Sequence, residues 1–352
     1  MSPKTENIQW LNTLRAIATV GVITVHVSTP VLKMAYGGDN MDFWWTGNII
    51  DSSVRFVIAM FLMLSGATML GKKYDLLDFY KRRMMRVLVP FLFWLVAYWI
   101  FRWYMLLPKN QPTEFHSILN WALELFKTEG VSKHFWYIYM ILVLYLFVPL
   151  LSSMVQKLKN NSLLLLLLCW AMINLMQNFR LFSLSEFPFV VQKAHSYLMY
   201  TGFMVLGYYL IKIKTLGDKI TLISILVFFA TIAFAAISTF ILSRNAHKLD
   251  MSAYGSLTLN TILQAVALFL WIKNTNIKNR FLTWTVQTIS NYSYGIYLVH
   301  IMVIGIFFRN GIFWTMAHPI ISLPIIITMT LICSNVIIFV LRKLPLGNYF
   351  AG

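Results

Sequence analysis

Charge is scarce in this sequence. Of its 352 residues only 12% are Asp, Glu, Lys or Arg, about half the share found in ordinary soluble domains, so a water-soluble chain of this size would lack the polar residues to cover its outside. Cysteine is scarcer still. Cys169 and Cys333 both lie inside apolar runs, which excludes a disulfide framework or a metal-binding spacing and leaves them as packing residues. No zinc-protease histidine pair, phosphate-cradling glycine loop or nucleophile elbow occurs, and there is no internal repeat of the kind on which many transporters are built. The short polar stretch 1–9 carries no small-residue cleavage site, so the first apolar run is expected to remain in the mature protein.

What is abundant is apolar surface. Hydrophobic residues make up 59% of the chain and the mean hydropathy is +0.69. Stretches such as 220–242 and 320–341 run for about twenty residues with few or no charges, the length that crosses a bilayer core as a helix. These features predict an all-α, polytopic membrane protein. Ten spans are expected, at about 11–32, 48–70, 87–107, 135–154, 162–178, 194–212, 220–242, 254–272, 286–308 and 319–341. No extramembrane stretch is long enough for a second domain; the longest is 108–134, so residues 1–352 are expected to form one membrane domain.

An even number of spans puts both termini on one side. If that side is the cytoplasm, 17 Lys and Arg residues lie inside against 9 outside, the excess that the positive-inside rule requires. The formal net charge of +17 is thus accounted for by topology and anionic lipid, with no nucleic-acid partner. Trp44, Trp45, Trp103, Trp121, Trp136 and Trp314 fall near the outer boundaries, where an aromatic belt would place them.

The chemistry rests on a few ionisable residues. Arg15 and His26 in the first span are eleven residues apart, close to three helical turns, so they share one face with a separation of roughly 16 Å. Arg15 either snorkels to headgroups or holds an anion at the inner mouth. His26 lies beyond easy snorkelling and is either a structural histidine or one that handles a proton within the membrane. Before the third span, Arg82, Arg83 and Arg86 have the i, i+3 and i, i+4 spacing that gathers guanidinium groups on one helical surface. Such a cluster suits a polyphosphate, although a purely topogenic basic loop has the same composition. Asp51 and Arg55 are four apart in the second span and form either an internal ion pair or a substrate contact. His134 and Trp136 open the fourth span, and Tyr297 and His300 lie in the ninth; they fit an interfacial belt or a polar outer pocket equally well. His116, His247 and His318 read as loop residues.

In this order the motifs resemble the acyltransferase-3 superfamily of membrane acyltransferases. The resemblance rests on Arg15 and His26, the Ser65–Gly66 step, Arg83 and Arg86, the His134-Phe135-Trp136 run with Tyr145 and Pro149 after it, and Gly295-Ile296-Tyr297 with His300. Within the superfamily the sequence is most similar to the branch containing the enterobacterial common antigen O-acetyltransferase. It departs from the common pattern at Ala59-Met60-Phe61-Leu62, where a proline often precedes the paired aromatics. The resemblance implies ten spans in a bacterial inner membrane and acetyl-CoA as a cytoplasmic acyl donor. It also implies a carbohydrate acceptor on a surface polysaccharide or its lipid-linked precursor. His26 and Arg15 would then be catalytic, and Arg15, Arg82, Arg83 and Arg86 would hold the donor. Arg55, His134, Trp136, Tyr297 and His300 would meet the acceptor, and no metal is expected. Because relatives of this fold have also been assigned transport roles, export of a polysaccharide or small molecule is the alternative.

Overall fold

A computed structural model describes residues 3–106, 131–179, 189–213 and 217–352. Twelve α-helices occur among them, and no strand. In chain order they are α1 (Pro3–Ala35), α2 (Met41–Ser52), α3 (Val57–Met69), α4 (Leu76–Leu106), α5 (Trp136–Lys157), α6 (Asn160–Asn178), α7 (Phe189–Lys212), α8 (Asp218–Asn245), α9 (Leu259–Lys273), α10 (Arg280–Arg309), α11 (Pro319–Lys343) and α12 (Gly347–Phe350). Helices are the form such apolar runs must take in lipid, because each backbone N–H and C=O then finds its partner within the segment. Polar side chains mark their starts: Thr258 accepts from the Thr261 amide, Asn279 from Leu282 and His318 from Ile320, the last with Pro319 in the first turn.

Among the described residues nine helical segments are long and apolar enough to cross a membrane, and the protein is a multi-pass, all-α membrane protein. The sixth expected span, 194–212, falls in α7, a 24-residue helix outside those nine. Its Tyr200, Phe203, Met204, Val205 and Leu206 are buried within the protein, so it needs less lipid-compatible surface. Most of the expected outer segment 108–134, with His116 and Trp121, lies outside the described residues.

Three expectations are corrected. The second span is not one continuous helix: it breaks between Ser52 and Val57, and the Ser52 carbonyl released by the break accepts from Gln264 Nε2 at 2.9 Å, as non-helical backbone at membrane depth requires. The helix of the third span, α4, begins at Leu76 rather than near 87, because Asp75 caps it by accepting from the Asp78 amide at 2.9 Å. Trp44 and Trp314 are not belt residues. They are buried, packed against partly buried Tyr36, Phe43 and Phe240 in an aromatic cluster, whereas Trp136 is 40% exposed.

The central helix is α1, which packs on α10, α2, α3 and α11. Beside it α3 and α7 approach backbone to backbone. A Cβ on Gly66 would lie 1.8 Å from the Met204 carbonyl oxygen, and one on Gly207 1.9 Å from that of Met63, so only glycine fits at either position. This contact fixes the face of α3 that carries Phe61 and Ser65. At the chain's end α12 tucks under α10: the Phe350 carbonyl accepts from Trp94 Nε1 at 3.1 Å, and a Cβ on Gly295 would meet the Ala351 carbonyl oxygen at 2.2 Å.

Candidate active site

Two cavities lie along α1. The first, of about 250 Å³, takes Arg15 from α1, Arg83 and Arg86 from α4, Ser65 from α3, Tyr145 from α5 and Tyr294 from α10, with Gly352 at its edge. Among the described residues no Asp or Glu side chain lines it, so three guanidinium groups face it without an acidic side chain in its wall. Arg15 Nη1 donates to Ser290 Oγ at 3.3 Å, and that hydroxyl donates to Asn12 Oδ1 at 2.9 Å, which orients the guanidinium while leaving donors for a ligand. Planar guanidinium groups converging in this way suit the phosphates of an extended anionic ligand.

Arg82 is not among the lining residues. Its side chain is 79% exposed and pairs with Asp78 one turn back at 3.0 Å. The helical phase of α4 explains the split, since Arg83 and Arg86 are three apart and turn inward while Arg82 turns out.

The second cavity, of about 210 Å³, is lined by His26, His134 and Trp136 together with Phe61, Tyr137, Tyr297 and four aliphatic residues, with no Asp, Glu, Lys or Arg side chain among the described residues that line it. Phe61, Tyr137 and Tyr297 also line the first cavity, so the two share a wall. Arg15 on one side of that wall and His26 on the other belong to the same helix, as their eleven-residue spacing requires.

Three imidazoles meet here. The His26 ring centre is 5.2 Å from that of His300 and 6.5 Å from that of His134, and His134 and His300 are 5.4 Å apart. His300 is fully buried, with Nδ1 2.7 Å from the Tyr297 carbonyl oxygen. A carbonyl only accepts, so Nδ1 carries a proton and donates it, and among the described residues Nε2 has no hydrogen-bond partner. His134 Nδ1 meets Ser132 Oγ at 2.7 Å, and its backbone carbonyl accepts from the Tyr297 hydroxyl. Among the described residues no group of His, Cys, Asp and Glu is arranged to hold a metal ion.

The sequence-predicted residues thus divide. Arg15, Arg83 and Arg86 come together, as do His26, His134, Trp136 and Tyr297. His300 stands behind His26 and lines neither cavity. Arg55 also lines neither: it pairs with buried Asp51, and its guanidinium carbon lies 3.9 Å from the Tyr254 ring centre. Asp51 accepts from Ser28 at 2.7 Å and from Thr29 at 3.4 Å. Around this pair Asn48 donates to the Ala236 carbonyl at 2.9 Å, and Ser52 donates to the Tyr254 hydroxyl at 3.2 Å. Sequence reasoning passed over Asn48, Ser52 and Gln264. The i, i+4 pairing of Asn48 with Ser52, and a lone glutamine in an apolar run, were the signals available.

Residues 8–339 match the acyltransferase domain that defines the acyltransferase-3 family, and the chain belongs to that family. It is a membrane acyltransferase. No curated protein and no solved structure matches it.

Proposed function

We propose that this acyltransferase moves an acetyl group from cytoplasmic acetyl-CoA to a sugar hydroxyl of a surface polysaccharide, or of its lipid-linked precursor, at a bacterial inner membrane. The observation that carries this reading is the convergence of Arg15, Arg83 and Arg86 on one cavity with no Asp or Glu side chain among its described lining residues, with His26 behind the wall it shares with a second cavity. Resemblance to the branch containing the enterobacterial common antigen O-acetyltransferase supports the acetyl donor and the polysaccharide acceptor.

In this reading the first, arginine-lined cavity is the inner, cytoplasmic one and the second, histidine-lined cavity the outer one; the three arginines hold the donor's phosphates, and Arg82 stays in its surface pair with Asp78. The pantetheine arm spans the roughly 16 Å from Arg15 to His26. His26 takes the proton of the acceptor hydroxyl, or carries the acyl group briefly on its ring; both routes need one neutral imidazole nitrogen. His134, Trp136 and Tyr297 line the space where the sugar meets the acyl group, with Trp136 offering a face for stacking. His300, whose Nε2 has no hydrogen-bond partner among the described residues, orients the His26 ring, and the Asp51–Arg55 pair holds the broken second span rather than touching the acceptor.

Two assays test the proposal. Purified protein given acetyl-labelled acetyl-CoA and membranes from cells lacking it should label a base-releasable product. Surface polysaccharide from those cells should lose a base-labile acetyl signal by NMR. Unchanged acetylation with altered polymer export would replace this reading with the transport one.

A further inference from the structure

We propose that the wall formed by Phe61, Tyr137 and Tyr297 sets the length of the acyl chain that is transferred, admitting acetyl and rejecting longer groups. This rests on the donor and acceptor assignment above. The three side chains are the residues common to both cavities, and they form a continuous row. The Phe61 and Tyr137 ring centres are 6.3 Å apart, and those of Tyr137 and Tyr297 5.5 Å. Tyr297 is held at the far end by its hydrogen bond to the His134 carbonyl. A thioester carried by the arginine side must present its acyl carbon across this row to reach His26.

Beyond the row space is short. The outer cavity measures about 210 Å³, and it must hold the acyl group and the attacking hydroxyl together. Val22, Val25, Val57 and Ile58 complete its lining, and β-branched side chains have little rotamer freedom with which to yield. The inner cavity sees only the donor's CoA portion, which all acyl-CoAs share. Discrimination therefore falls to the wall, where each extra methylene is worth roughly 10–200-fold.

The step balances without a further reactant. The bond from the carbonyl carbon to sulfur breaks, and one to the acceptor oxygen forms. The hydroxyl proton passes to His26 and then to the departing thiolate, giving an ester and the CoA thiol. When water replaces the sugar the products are a carboxylic acid and the same thiol, so free thiol counts turnover.

The test uses the full chain in lipid nanodiscs with acetyl-, butyryl- and octanoyl-CoA, following thiol release with an aromatic disulfide. The octanoyl-to-acetyl rate ratio within one preparation does not depend on the fraction of protein that is folded. In the wild type it should be a hundredth or less, rising at least tenfold in Phe61→Ala and by a smaller factor in Phe61→Leu. A flat profile in the wild type overturns the proposal. So does an unchanged ratio in both variants while acetyl-CoA is still consumed, and in either case the transferase reading stands. If the wild type releases thiol from none of the three, even with membranes from cells lacking the protein added as acceptor, the acyl-CoA donor reading fails and this proposal with it.

Discussion

The two cavities along α1 differ in kind. The inner one collects three arginines, of which Arg86 is exposed and Arg15 and Arg83 are half-buried. The outer one collects half-buried His26 and buried His134 among aliphatic and aromatic walls. Arginine keeps its charge in nearly any protein setting and serves where a ligand's charge must be met near water. Histidine can sit neutral within an apolar wall and still take a proton. In the proposed function the contrast separates binding from bond making: one side would retain the donor and the other would do the chemistry, with three aromatic side chains between them.

The largest effect expected is at the outer side. His26→Ala should lower transfer by roughly 10²–10⁴, the usual contribution of a positioned acid or base, while the purified protein still binds CoA by calorimetry. Substantial turnover by a well-folded variant would remove His26 from the mechanism and erase the distinction between the cavities. Next comes the scaffold beside it. Asp51→Ala leaves the Arg55 guanidinium buried without its partner and should cost about 3–5 kcal/mol, read as a lowered midpoint of thermal unfolding in detergent. An unchanged midpoint would mean that the pair does not hold the broken span.

On the inner side the effects are smaller and of another type. Arg86→Ala and Arg83→Ala should each weaken CoA binding tenfold or more, since a hydrogen bond to a charged group contributes about 1.5–3 kcal/mol; unchanged affinity would return the cluster to a topogenic role. Arg82→Ala is the smallest. Its exposed pair with Asp78 is worth about 0.2–1 kcal/mol at most, so CoA affinity should move by less than twofold, and a larger loss would place Arg82 in the donor site after all.

Much of the fold was legible because length and apolarity fix membrane helices almost by themselves. Apart from the break at 53–56, the described cores of the spans read from 11–32 to 319–341 lie in helical segments. What sequence did not reveal depends on cross-chain partners. Nothing local to Ser52 announces a break; Gln264, 212 residues away, is what satisfies the freed carbonyl. Arg82, Arg83 and Arg86 look alike in composition, and only the phase of α4 against its neighbours turns two of them inward. The nearness of His134 and His300 to His26 was equally invisible, because three helical segments distant in sequence bring the rings together. Gly66 was legible as a motif residue but not in its reason, which is the backbone of α7 lying against it.

The most direct test of the division between the cavities is a steady-state comparison of Arg86→Ala and His26→Ala with acetyl-CoA as the varied substrate. A residue that only holds the donor should raise KM at least tenfold with kcat nearly kept, whereas a residue acting on the reacting atoms should lower kcat with KM little changed. The account predicts that split, arginine on KM and histidine on kcat. The same pattern in both variants, or the reverse assignment, would contradict it.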